Sequence, residues 1–473
     1  MLIQPVASHL ITRPVHTRIP FKFGVQVLNE VPLAELAVEV ESSDGRRMVG
    51  RSSDLLVPKW FEKNPETTPE EDSEALARSI AQAVDLAMEL GQTAGAHSAF
   101  DIWYVSYQDL VARHPNHQPD ILVRGFGTHM LERALIDATC RLAECSFHEA
   151  LQNDLLGFSA SRVIPATRDW SAARLPAPSD SISVRHTVGM LDPLRISEIP
   201  PEQRVEDGLP QALEEDIDTY GLKWFKIKVG GNPQHDAQRL KDIASVVMPK
   251  VGHDAAFTLD GNEQCEDLES FAGMLEELKS DPIAGALVER LTLIEQPLPR
   301  SATFDPAANQ HLNQLSANAP VIIDEADTDS DAFHRAISLG YSGVSIKACK
   351  GIFRALANRA LIDLHPNQGL FQSGEDLTNL GSIPLQQDLA LQSTLGVNNV
   401  ERNGHHYFHG LDHLPEDQQA MITRALPGLY HRDADLTQLS IRNGTIDLLG
   451  IRDGIGLGGP LASLEAAKAI NPE

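Results

Sequence analysis

The chain predicts an α/β fold: a (β/α)8-type, modified TIM barrel carrying a separate α+β capping domain. Three observations predict it. Eight short apolar, β-branched runs recur in the middle of the chain, and each but the last is followed by a stretch of helical pattern. Several runs are continuously apolar, as strands buried on both faces must be. Before and after them the texture changes to alternating strands and amphipathic helices. Eight units in about 250 residues favour a closed barrel over an open doubly wound sheet. A length of 473 residues, 42% of them hydrophobic and 22% charged, is ordinary globular composition. At roughly 150 residues per domain it allows two or three units.

The N-terminal unit reads first as strands. LAELAVEVESSDGRRMVGRSS alternates on both sides of Asp44-Gly45, a hairpin turn signal. A polar, Pro-rich loop follows, KWFEKNPETTPEEDSE. Ser73 stands where an N-cap is expected, ahead of Leu76, Ile80, Ala83, Ala87 and Leu90 at helical spacing, and Gly91 reads as the stop. A second helix carries Leu131, Leu135, Ala138 and Leu142 on one stripe. Residues 160–180 lack a period and read as a connection. The barrel runs are SISVRHTVG, WFKIKVG, AFTLDGN, LTLIEQP, VIIDEA, GVSIKAC, LFQSGED and VNNVERNG. In the tail, LTQLSIRNGTIDLLGIRDG carries an Asn443-Gly444 hairpin signal, and its strand pair is expected to pack back on the N-terminal unit. The expected division is 1–160 for the capping domain, 161–430 for the barrel and 431–473 for the returning C-terminal segment.

Charge narrows the function. With 39 Lys+Arg against 66 Asp+Glu the net charge is −27, which disfavours nucleic acid and anionic membrane as partners. No apolar run approaches the ~20 residues of a bilayer span. No basic segment leads into an apolar one at the N-terminus, and the four cysteines form no C-x-x-C pair. A reducing, cytoplasmic setting is the expectation.

The chemistry lies where the apolar runs end. Lys226 and Lys228 end the second run, Asp260 and Asn262 the third, Glu295 the fourth, Asp324 and Glu325 the fifth, and Lys347 the sixth. In a barrel these strand ends converge on one mouth, where active sites lie. Residues two apart on a strand share a face, so Lys226 and Lys228 point together. Asp260, Glu295 and Asp324 on adjacent strands would crowd negative charge, which is costly unless a cation sits among them. Three oxygen ligands with open positions suit Mg²⁺. Lysines on the second and sixth strands would flank that site from opposite sides. An amine of ordinary pKa near ~10.4 is a poor base, but neighbouring cations and burial can lower it toward ~7–8. Lys226 would stabilise a developing enolate.

The set K-x-K (Lys226, Lys228), D-x-N (Asp260, Asn262), I-E-Q-P (from Ile294), I-D-E (Asp324, Glu325) and S-I-K-x-x-K-G (Lys347, Lys350) resembles the enolase superfamily. It is closest to the muconate lactonizing enzyme branch of the mandelate racemase/muconate lactonizing enzyme family. PFKFG near residue 20 is similar to the family's capping-loop start, RALIDATCRLAECSFHEALQNDLLG to the helix closing its N-terminal domain, and GIGLG near the end to its terminal strand. The resemblance implies Mg²⁺ on Asp260, Glu295 and Asp324. It implies Lys228 as base on one face, Lys347 as base or acid on the other, Lys226 as electrostatic stabiliser and Asn262 as a supporting group; the role of Lys350 stays open.

Two departures matter. The seventh run, LFQSGED, lacks the His that mandelate-racemase-like members carry there, so two-lysine chemistry is favoured. The eighth reads Glu401-Arg402-Asn403 rather than Asp-x-Asp, which argues against a dipeptide substrate. Glu325, Lys350, Glu375 and Glu401 are candidate supporting or substrate-binding residues, and Trp60 with Phe61 a candidate lid. His405, His406 and His409 cluster after the eighth run, but with no carboxylate at ligand spacing they read as core or solvated histidines. The expected activity is Mg²⁺-dependent removal of the proton α to a small carboxylate substrate, giving a metal-stabilised enolate. Racemisation, epimerisation or cycloisomerisation follows; β-elimination by an acid-sugar type dehydratase is the alternative, and a non-catalytic metal-binding protein the reading of another class. A homo-oligomer is compatible with all of these.

Overall fold

The computed structural model describes residues 1–23, 26–113 and 121–464. Strands β1 (Ile3–Phe23), β2 (Gln26–Ser42) and β3 (Arg47–Leu55) form an antiparallel meander. Asp44-Gly45 makes the β2–β3 turn, with Gly45 at φ 83°, as the sequence predicts. Gly24 of PFKFG lies outside the described residues. Helices α1 (Pro69–Ala94), α2 (Ala99–Arg113) and α3 (Ile121–Leu142) complete the cap. Helix α3 lies directly on β3, an approach that only a glycine allows: a Cβ on Gly50 would stand 2.0 Å from the Ala134 carbonyl oxygen.

Both expected boundaries of α1 move. The N-cap is Thr68, not Ser73: Thr68 and Glu71 form a capping box with Pro69 behind the cap. Ser73 sits inside the helix and donates to the Leu56 carbonyl at 2.9 Å. Gly91 does not stop the helix, which runs on to Gly95 at φ 82°. A small residue is favoured there because Gln4 and Pro5 of β1 lie 3.1 and 3.2 Å from where its Cβ would be.

The barrel strands are β4 (Ser181–Val188), β5 (Trp224–Lys228), β6 (Ala256–Asp260), β7 (Leu291–Glu295), β8 (Val321–Ile323), β9 (Gly343–Ile346), β10 (Phe371–Gly374) and β11 (Asn399–Arg402). Each pairs in parallel with the next, and β11 pairs with β4, closing the ring. The register sets Lys228 beside Asp260 and Asp260 beside Glu295. The charged ends of the second to sixth runs therefore share one rim.

The tail departs from its expected hairpin. Asn443 and Gly444 do turn the chain, at φ 52° and 72°. Their arms then separate: β13 (Leu436–Leu439) pairs with β12 (Tyr430–Asp433), while β14 (Thr445–Asp447) pairs with β4 of the barrel. It is the following irregular segment that returns to the cap. Leu457 N donates to Asp137 at 2.9 Å, Arg141 to the Gly459 carbonyl at 2.9 Å, and Leu464 N to Glu35 at 2.8 Å. GIGLG is not a strand; Gly456 makes one isolated bridge with Ser146. Among the described residues no helix is long and apolar enough to cross a membrane.

Candidate active site

Strand alternation points Lys226 and Lys228 to the barrel axis. Lys226 becomes the hub. Its Nζ lies 2.6 Å from Glu295, 2.6 Å from Glu375, 2.9 Å from Glu401 and 3.0 Å from Asp260. All five groups are buried. Lys228 Nζ donates to Asp260 Oδ2 at 2.6 Å and stands 3.9 Å from Glu401. At the other end of the acid row, Lys347 donates to Asp324 Oδ2, and Lys350 lies 3.2 Å from Asp324 Oδ1. The row Asp260, Glu295, Asp324 thus has an amine at each end and one in the middle.

The loops after the strands hold these groups in place. Asn262 sits at φ 42°, donates its amide N–H to Asp260 Oδ1 at 2.8 Å, and reaches Glu325 with its side chain at 3.3 Å. Gln296, next to Glu295, accepts from the backbone of Asp324 at 2.8 Å and of Ala326 at 3.1 Å, clamping the fifth strand end. The cap closes over the sixth strand: Lys347 Nζ lies 4.6 Å from the centroid of the Trp60 ring. Arg300 secures that loop, donating to the carbonyls of Trp60 at 2.8 Å and Phe61 at 3.0 Å while paired with Glu263.

The charges follow from this packing. Burial opposes ionisation of Asp260 and Asp324, yet the lysines prevail and both carboxyls lie below their usual range. Glu295 goes the other way: burial, with Asp260 and Glu375 close by, raises it well above the usual value. Glu325 is pushed up to about 7 by burial and Asp324. Burial pulls Lys226 and Lys347 down, but the surrounding acids outweigh it and hold both above the ordinary lysine value. For these two the expected lowering by neighbouring cations does not occur in the metal-free chain, because carboxylates are the nearer neighbours.

The donor set fits a divalent cation. Both oxygens of fully buried Glu295 lack a hydrogen-bond partner. A buried carboxylate left so costs several kcal/mol unless neutralised. Adding a cation to this all-oxygen cluster supplies the missing charge.

The predicted site residues gather around Lys226 and the two ends of the acid row; Lys350 contacts Asp324 at 3.2 Å, and Glu325 meets the site through Asn262. Arg185 is the residue that sequence reasoning missed. From β4 it pairs with Glu375 and donates to the Gly374 carbonyl at 2.6 Å. Its period-two relation to Thr187, which donates to Glu401 at 2.6 Å, was the available signal.

A closed barrel, an α+β cap and this lysine–carboxylate rim define the enolase-superfamily architecture. The profile of the enolase C-terminal domain-like family matches residues 209–458, more than half of the chain, so the chain belongs to that family and to its mandelate racemase/muconate lactonizing enzyme branch. Among curated proteins none matches by sequence. Solved structures agree on the fold. An enolase from Bradyrhizobium complexed with magnesium and mandelic acid shares 16% identity at TM-score 0.59, covering 98% of this chain and 96% of that one. A dipeptide epimerase from Enterococcus faecalis complexed with Mg and L-Leu-L-Tyr shares 14% at 0.59, covering 97% and 99%. A muconate lactonizing enzyme from Pseudomonas fluorescens complexed with muconolactone shares 16% at 0.58, covering 97% and 96%.

Proposed function

We propose that the chain is an isomerase or lyase that removes the proton α to the carboxylate of a small substrate. Mg²⁺ would be held by Asp260, Glu295 and Asp324. When bound, it supplies positive charge that stabilises the enolate. Lys228 is the base on one face and Lys347 the acid or base on the other. Lys226 adds charge between them. The observation that carries this reading is the placement of Lys228 on Asp260 and Lys347 on Asp324, one at each end of the acid row. Two amines so placed suit delivery of a proton to the face opposite its removal, which favours racemisation or epimerisation. Cation binding would draw on the carboxylate charge that now keeps Lys347 protonated, bringing its proton closer to transfer.

The test is solvent exchange. In D₂O with Mg²⁺, racemisable N-acyl amino acids, 2-hydroxy acids, dipeptides, lactones and acid sugars are followed by NMR for α-deuterium. Expected is exchange in at least one class, abolished by EDTA and reduced about 10³–10⁴-fold in Lys228→Ala or Lys347→Ala. Full exchange in either variant overturns the assignment. Elimination of water without return of deuterium to the α-carbon favours the dehydratase reading.

A further inference from the structure

A second cluster gathers outside the acid row, on the seam where the barrel closes. His186 lies on β4, in register with Arg402 of β11. Its strand neighbours Arg185 and Thr187 reach acids inside the barrel, so alternation turns His186 outward. There it meets Asp216, from the helix Leu213–Tyr220, and His405, from the turn after β11. One donor atom from each of the three lies within 4.8 Å of the others. His186 Nδ1 is 3.1 Å from His405 Nε2, and His186 Nε2 is 3.7 Å from Asp216 Oδ2. Bonds of ~2.0–2.2 Å in a four-coordinate zinc site set ligand atoms roughly 3.3 Å apart, close to the spacing of the imidazole pair. The Asp216 contact is to the other ring nitrogen of His186, so for one donor atom per residue the spacing is the 4.8 Å limit.

Hydrogen bonding accounts for only part of this cluster. Asp216 is fully buried, and among the described residues its ion-pair partners are the imidazoles of His186 and His406, with no Lys or Arg. Asp216 Oδ2, His405 Nδ1 and His406 Nε2 are buried without a hydrogen-bond partner. A carboxylate so enclosed calls for a compensating cation.

We propose that His186, Asp216 and His405 form a second metal site, taking a zinc-class divalent ion. Two imidazoles and one carboxylate suit zinc, whereas the all-oxygen acid row suits magnesium. The two sites would therefore sort their ions by ligand chemistry. His406 is a positioning residue: its Nδ1 lies 3.1 Å from Asp216 Oδ1 and orients the carboxylate from behind. His405 is the partly exposed member and gives the ion a way in. The ion would tie both barrel-closing strands to the helix Leu213–Tyr220. The cap touches the same place, where Arg18 donates to the His406 carbonyl at 2.9 Å. Sequence reading missed the carboxylate because Asp216 lies far from the histidines in the chain.

The test uses the full chain, stripped with chelator and held in excess Mg²⁺. On adding Zn²⁺, expected is uptake of one Zn²⁺ per chain and a higher Tm, and on adding Co²⁺ instead an intense four-coordinate visible spectrum. His405→Gln should weaken Zn²⁺ binding by roughly 100-fold and His406→Gln by about 10-fold. Asp260→Asn should leave it unchanged. No Zn²⁺ uptake in excess Mg²⁺, equal uptake by His405→Gln, or loss in Asp260→Asn each overturns the proposal. Should His405→Gln fail to fold, zinc anomalous scattering from wild-type crystals decides: density within bonding distance of His186 supports the site, and density elsewhere overturns it.

Discussion

On the β10 and β11 side of the barrel, acids are fully partnered. Glu375 accepts from Arg185, Ser373 and Lys226, and Glu401 from Thr187, the Asp376 amide and Lys226. At the end of β7, Glu295 has only the nearby charge of Lys226, at 2.6 Å and without an aligned hydrogen bond. Take Lys226 away and Glu375 and Glu401 keep partners, whereas Glu295 has none. The difference separates two uses of a buried acid. Glu375 and Glu401 are held by fixed donors, as are Asp260, by Lys228 and the Asn262 N–H, and Asp324, by Lys347, Lys350 and Ser345, whereas Glu295 is left for a cation to complete. Partner count therefore singles out Glu295 among the five carboxylates Asp260, Glu295, Asp324, Glu375 and Glu401.

The largest effect should come from replacing Glu295. Glu295→Gln removes a ligand oxygen and the charge that demands an ion, so Mg²⁺-dependent turnover should fall on the order of 10³-fold or more, several kcal/mol of lost transition-state stabilisation. The metal-free variant should unfold at the same urea concentration as wild type or higher, because burial and the neighbouring acids disfavour the charged form of Glu295 and the amide cannot ionise. Mg²⁺ titration by calorimetry together with urea denaturation checks both halves. Undiminished Mg²⁺ affinity would erase the distinction between the two sides.

Much of this was legible in the chain. Each barrel strand announces itself as an apolar run, and the ionisable residue at its end falls on the rim because strand ends share a level. That logic places Lys226, Lys228, Asp260, Glu295, Asp324 and Lys347 before any coordinates. It misses Arg185, since an Arg inside SISVRHTV reads as a solvent-facing position, and only the partner Glu375, distant in sequence, makes burial tolerable. Thr68 was hidden by the more obvious Ser73, although the T-P-E-E run carries the full capping signal. The Asn443-Gly444 turn was legible but the fate of its arms was not, because β14 pairs with β4, a strand far off in the chain.

A middle-sized effect belongs to the partnered side. Glu375→Gln leaves the buried guanidinium of Arg185 without its counter-ion, and breaking such a pair costs about 3–5 kcal/mol. Stability should therefore drop while Mg²⁺ affinity stays within about tenfold of wild type. Urea midpoints and calorimetric Mg²⁺ titration report the two quantities separately. An opposite pattern, with stability kept and Mg²⁺ lost, would make Glu375 a metal ligand.

The smallest effect concerns Glu325, a second rim acid with an unpartnered oxygen. Glu325 has one oxygen without a partner, and burial with Asp324 beside it raises its pKa from 4.5 to about 7. The folded chain then binds this proton more tightly than the unfolded chain does. The stability it contributes is complete below pH 4.5 and is lost as pH rises through 7. Glu325→Gln, which stays neutral, should match wild type at pH 4 and exceed it at pH 8. The gain is at most about 3 kcal/mol by linkage. Urea denaturation in EDTA at the two pH values measures it. A variant less stable than wild type at pH 8 would show that Glu325 is ionised and well partnered in the fold, placing it with Glu375 and Glu401 rather than with Glu295.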